Sequence, residues 1–316
     1  MGEEIREQNR FLSGMDNDFD STFGALTNSV ARLKKIAMSG HNRYYLYLIL
    51  FSLFVFFVIW LAASKYGNIP LGADGEEPEF RTISWIAMMF SAGMGIGLMF
   101  WGAAEPLAHY LTPPPGTGEA GNDSSTRTAM ATTLFHWTLH PWAIYTVAGL
   151  AIGYGVFRKG RGLTISAVFE PLIGKRQVNG PVGKVIDIFA IFATLFGTTA
   201  SLGLGAAQVG AGLERLGWAD DGSSKLLLVA IIAVLTLAFV ASAVSGVAKG
   251  IQWLSNTNMV LALVLALFVF VVGPTVFILN LLPTSMGAYA ADFMDMSARS
   301  AANEPEAGKW LASWTI

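Results

Sequence analysis

Six nearly uncharged, apolar runs of about 20 residues divide this chain, and a run of that length fits one structure above others, a helix crossing the hydrocarbon core of a bilayer. The runs are 44–64, 83–104, 132–157, 185–212, 226–246 and 259–282. Each is too long for an ordinary strand and lacks the alternation of a barrel strand, so each must satisfy its backbone groups internally, as a helix does. Only 13% of residues are charged and 53% are hydrophobic; a soluble domain carries roughly a quarter charged residues. The sequence therefore predicts an all-α polytopic membrane protein with six membrane helices over 44–283, a preceding tail over 1–43 and a following amphipathic segment over 284–316.

Charge placement gives an orientation. Arg158, Lys159, Arg161, Lys175, Arg176 and Lys184 lie between the third and fourth runs against Glu170 alone, which puts that loop in the cytoplasm by the positive-inside rule. Counting back, Lys65 to Arg81 is cytoplasmic, and the loops around Glu119 and Asp123, and around Asp220 and Asp221, are outside. The tail then falls outside, although Arg32, Lys34, Lys35 and Arg43 precede the first run and no signal-peptide pattern opens the chain. A further span upstream is the expectation that reconciles these facts.

Phe23, Leu26, Val30, Leu33 and Ala37 recur at helical spacing, which predicts an interfacial helix in the tail; a solvated tail is the alternative. Met286, Tyr289, Ala290, Phe293, Met294 and Met296 suggest a second surface helix on the extracellular or periplasmic side. Trp310, Leu311, Trp314 and Ile316 then read as interfacial residues leading toward another span. The chain has no cysteine, which excludes disulfide scaffolds, thiol chemistry and thiolate metal sites. Its net charge of -2 points to no nucleic-acid partner.

In the second run, Ser91-Ala92-Gly93-Met94-Gly95-Ile96-Gly97 puts glycine at every second position, and each glycine weakens a helix by about 1 kcal/mol relative to alanine. An unwound segment here would turn amides toward a solute carboxylate and carbonyls toward a cation. Gly93 and Gly97 stand four apart, so tight helix packing is the competing reading. In the third run, Trp137, Tyr145 and Trp142 fall at about 0°, 80° and 140° on a continuous helix, within one face. Rings on that face can hold a methyl-shielded ammonium, which has no strong donors, at about 0.5–2 kcal/mol per ring. Packing against neighbouring helices or in an interfacial belt is the alternative.

His136 and His140 stand at i and i+4, a spacing that can hold a metal and so raises an intramembrane metal-dependent enzyme. The pair lacks the acid of HExxH, and only His41, His109, Glu105 and Asp187 offer further ligands; hydrogen bonds to neighbouring helices are the preferred reading. In the fourth run, Thr194 and Thr198 lie one turn apart among small residues. Their hydroxyls can ligate Na+ or bond back to the preceding turn. Apart from Glu105 and Asp187 near run ends, no Asp, Glu, Lys or Arg lies in the six runs. Proton-coupled carriers ordinarily keep an intramembrane acid, so this pattern favours Na+ coupling and a substrate without net charge.

Gly93-Met94-Gly95-Ile96-Gly97-Leu98-Met99-Phe100-Trp101-Gly102 with Glu105-Pro106, and Phe135-His136-Trp137-Thr138-Leu139-His140-Pro141-Trp142-Ala143-Ile144-Tyr145, resemble the betaine/carnitine/choline transporter family. Phe196-Gly197-Thr198, Lys249-Gly250-Ile251-Gln252 and Gly273-Pro274-Thr275 extend the resemblance, which runs from about Tyr44 to Ile316. It implies a twelve-span fold of two inverted five-helix repeats with substrate at the bilayer midplane, of which this chain resembles spans two to seven. It also implies a homotrimer in the plasma membrane, an aromatic box containing Trp137, Trp142 and Tyr145, and a glycine segment, Ala92, Gly93, Met94, Gly95 and Gly97, lining the substrate. One sodium site would use Thr194 and Thr198, and a second the backbone near Ser91 and Met94. Members that carry choline often have an acid where Gly97 stands, so Gly97 favours a zwitterion such as glycine betaine. The function expected on this basis is sodium-coupled uptake of a quaternary ammonium osmolyte, with Na+ as coupling ion and no cofactor. Choline, carnitine, ectoine or proline are alternative substrates, and a channel is an alternative class.

Overall fold

The computed structural model describes residues 43–72, 75–246, 250–299 and 307–314. The tail helix expected from Phe23 to Ala37, together with His41 and Lys249, lies outside the described residues. Among the described residues all regular structure is helical. The longer elements are α1 (Arg43–Ala63), α2 (Thr82–Gly93), α3 (Ile96–Leu111), α4 (Asp123–Trp137) and α5 (Leu139–Gly153). After a π turn, Tyr154–Arg158, and the single-turn helices Ile165–Val168, Glu170–Ile173 and Lys175–Val178, come α6 (Pro181–Arg215), α7 (Lys225–Val244), α8 (Gln252–Val272), α9 (Thr275–Ser297) and α10 (Ala307–Trp314).

Among the described residues, three helices, α6, α7 and α8, are long and apolar enough to cross a bilayer, and their most apolar windows are 0%, 0% and 6% buried. Apolar side chains left uncovered along a helix of that length need lipid or another protein around them. The pair α2 and α3 passes the same test as one bent span, with 60° between its halves.

Three of the apolar runs are interrupted, each for a local reason. Met94, with φ -93° and ψ 65°, ends α2, and extended Gly95 starts α3. Thr138, with φ -113° and ψ -108°, separates α4 from α5. Pro141 accounts for this break: it has no N–H for the Trp137 carbonyl, and its ring collides with that carbonyl in a continuous helix. The third run therefore does not form the one helix assumed in placing its aromatics. Likewise, Gly273-Pro274 divides the run 259–282 between α8 and α9. Pro274 cannot donate to the Phe270 carbonyl, and the Thr275 hydroxyl takes its place at 2.6 Å.

The most extensive helix contacts join α4 to α9 and α3, α8 to α2, and α1 to α5. Helix α4 starts in a capping box, where the Asn122 side chain accepts from the Ser125 amide and the Ser125 hydroxyl reaches back to the Asn122 backbone. Its buried Ser125, Ala129, Ala131, Thr132 and Thr133 are small enough for neighbouring backbones to come close. The stretch read as a surface helix forms the second half of α9, where Ser285, Ala288, Met296 and Ser297 are buried. Phe135, Met296 and Leu311 make an apolar cluster, with Tyr289 and Trp310 packed on it. In the basic loop, Asp187 accepts from the amide and hydroxyl of Ser166, both at 2.8 Å, which ties the loop to α6.

Candidate functional site

The broken glycine segment meets an aromatic ring. A Cβ built on Gly93 would lie 2.5 Å from Cη2 of Trp142 and 2.8 Å from Cζ2, so the indole rests on a surface that only glycine provides. Trp142 in turn meets Tyr145 edge-on, with centroids 5.8 Å apart and planes at 80°. Trp142, Tyr145 and Met94 are exposed. Nothing lies within 4 Å of a Cβ built on Gly95 or Gly97, so those two glycines do not form a tight helix seam. Gly95 caps α3 without a side-chain hydrogen bond, and the first amides of a helix have no carbonyl partner within it. The junction thus offers free N–H groups and a positive helix end beside ring faces.

Trp137 lies on a different helix from the other two aromatics. It ends α4, whereas Trp142 and Tyr145 belong to α5, and it makes no ring contact with either among the described residues. Its Nε1–H donates to Glu105 Oε2. Glu105 Oε1 lies 2.5 Å from His136 Nδ1 and 3.3 Å from His109 Nε2. Glu105 is 2% exposed and His109 0%. This acid was read as an end-of-run residue; it is instead a buried hub between α3 and α4. The lack of an intramembrane acid therefore does not distinguish sodium from proton coupling here. The available signal was Glu105 and His109 at i and i+4, one turn of the same helix.

The proposed metal pair is separated by role. His136 joins Glu105, while His140 Nε2 lies 3.2 Å from Ser52 Oγ and 3.3 Å from Ser297 Oγ, its ring packed on Phe135 and stacked on Phe293. Glu105, His109 and His136 are the set whose ligand atoms fall within 4.8 Å of one another. Two ligands on a tetrahedral zinc stand about 3.3 Å apart, given bonds near 2.0 Å. The Glu105–His136 pair is closer than that and is arranged as donor and acceptor.

For the sodium candidates, Thr194 and Thr198 are exposed on α6, and their hydroxyls donate to the carbonyls of Ala190 and Thr194 at 2.9 and 2.8 Å. Each oxygen keeps lone pairs for a cation. Ser91 Oγ accepts from Asn258 Nδ2 of α8 at 3.2 Å, which fixes the end of α2 to a neighbouring helix.

The model of the betaine/carnitine/choline family transporters matches residues 24–316. The chain is 50% identical over 271 residues to the glycine betaine transporter OpuD of Bacillus subtilis, covering 85% of this chain and 52% of that protein. It is 47% identical to the betaine/ectoine transporter LcoP of Corynebacterium glutamicum, over 82% of this chain and 41% of that one. To the high-affinity choline transport protein of Escherichia coli it is 41% identical, over 85% and 39%. The chain thus spans about half the length of the curated relatives it matches. These relatives are transporters, which removes the support for an intramembrane enzyme. With a match across nearly all the described helices, this chain is an integral plasma-membrane protein of the betaine/carnitine/choline transporter family.

Proposed function

We propose that this chain supplies the first inverted repeat of a twelve-span, homotrimeric carrier that takes up glycine betaine, or a close zwitterionic relative, with Na+. The observation that carries the reading is the contact of Trp142 with Gly93 at the break between α2 and α3. Glycine betaine joins a carboxylate to a trimethylammonium over a short distance, and this junction brings the uncapped start of α3 close in sequence to a segment that an aromatic ring touches. The carboxylate would meet the start of α3 and the ammonium the rings of Trp142 and Tyr145, with Trp137 as a further wall. Ala92, Gly93, Met94, Gly95 and Gly97 would line the passage. Thr194 and Thr198 would ligate one Na+, and the backbone near Ser91 and Met94 another. The names of the relatives, betaine, ectoine and choline transporters, support the same solute class.

The test is uptake of labelled glycine betaine by the full-length carrier that contains this chain, in proteoliposomes under an inward Na+ gradient, an inward proton gradient, or neither, with choline and ectoine as competitors. Saturable uptake driven by Na+ is expected. Flux linear in concentration indicates a channel, and uptake driven by protons alone overturns sodium coupling.

A further inference from the structure

We propose that Glu105 is a positioning residue for transport: its carboxylate fixes the indole of Trp137 at the break between α4 and α5, and so sets the ring face offered to the substrate. This inference rests on the quaternary ammonium reading above.

Trp137 is the last residue of α4, and the next residue, Thr138, has left helical geometry. At such a break the backbone no longer fixes where the following turn and the adjoining ring point. The ring is held instead at its far end, where Nε1–H donates to Glu105 Oε2. With Glu105 Oε1 as the acceptor, the facing nitrogens, Nδ1 of His136 and Nε2 of His109, are the donors. Three donors therefore converge on one buried acid, two of them from adjacent residues of α4. His109 donates from the next turn of α3, on the same helix as the acid.

The hub is enclosed by α10. The Trp314 ring lies 4.5 Å from that of His109, and the Trp310 ring 5.8 Å from that of His136. Away from water these hydrogen bonds are stronger, and a donor left without its acceptor is costly. The orientation of Trp137 is consequently a property of the Glu105 carboxylate. An indole N–H that donates to an anion also pushes electron density onto the ring face, which strengthens the attraction for a cation. Glu105 acts on the substrate through Trp137, without touching it.

The experiment compares Glu105→Gln, Trp137→Phe and the double variant in the full-length carrier that contains this chain, reconstituted and assayed for glycine betaine uptake. Trp137→Phe removes the donor and also shrinks the ring, so it bounds the loss expected when the bond is gone; Glu105→Gln leaves the indole whole and replaces one accepting oxygen by a donor. Each is expected to raise KM about tenfold with kcat changed less than about twofold, and the double variant to be no worse than either alone. A merely structural role would lower the amount of folded carrier and the maximal rate, with KM unmoved. If Glu105→Gln fails to fold, Glu105→Asp, which keeps the carboxylate but draws it back by one methylene, tests the same bond with the indole intact, and a KM unmoved in Glu105→Asp overturns the proposal. An unchanged KM in Trp137→Phe, or losses that multiply in the double variant, overturns the proposal. Absence of saturable uptake by the unmodified full-length carrier overturns the transport reading and this inference with it, whereas a normal wild type beside unaffected variants overturns this inference alone.

Discussion

At the residue scale, the proposed site depends on an indole that rests where Gly93 has no side chain. Trp142→Ala is expected to raise the KM for glycine betaine at least tenfold, the equivalent of about 1.4 kcal/mol, read from uptake kinetics at saturating Na+. Gly93→Ala is expected to act in the same direction by displacing the ring, since its Cβ would stand 2.5 Å from Trp142 Cη2. Added to Trp142→Ala, it should bring little further loss, because the colliding ring is gone. Thr198→Ala is expected to weaken the response to Na+ more than substrate affinity at saturating Na+; an unaltered sodium titration would assign that hydroxyl to its bond with the Thr194 carbonyl. Gly93 and Trp142 stood out in the sequence as separate candidates, and the structure brings them into contact. The placement of Trp137 was not legible, because an angle computed on one continuous helix carries no meaning across Thr138.

At the scale of elements, the breaks decide what the helices can do. Glycine spacing announced the bend between α2 and α3, since three glycines in five residues remove most of the local reason to stay helical. The breaks at Thr138 and Gly273 were equally written, in Pro141 and Pro274, but a search for apolar length counts hydrophobicity and passes over a missing N–H. Pro141→Ala tests whether the α4–α5 break serves transport. Alanine restores a donor for the Trp137 carbonyl and favours the helix by about 3 kcal/mol over proline in a regular interior. Thermal stability in detergent is expected to hold or rise while uptake falls, because straightening the segment carries Trp142 away from Gly93. A variant that is both as stable and as active as the original would show that the break plays no part in binding.

For the whole molecule, orientation follows from charge and from the length of one element. Helix α6 has 35 residues, which at 1.5 Å each makes roughly 52 Å, more than the 30 Å or so of a hydrocarbon core. Its two ends must therefore open on opposite sides if it crosses once. The N-terminal end adjoins the basic loop with Lys175, and the C-terminal end leads to Asp220 and Asp221, where Ser223 holds the Asp221 carboxyl below the usual carboxylate range. Acidic residues contribute little to orientation, so the Lys and Arg cluster supplies the bias. The absence of cysteine makes this measurable without background. Lys175 and Asp220 are both exposed, so Lys175→Cys and Asp220→Cys can each be labelled in intact cells with a membrane-impermeant maleimide. Labelling is expected at position 220 alone, and at position 175 only after the membrane is opened. The reverse pattern would invert the orientation, and labelling of both from outside would mean that α6 is not a single crossing, which would separate Thr194 and Thr198 from any site at the bilayer midplane.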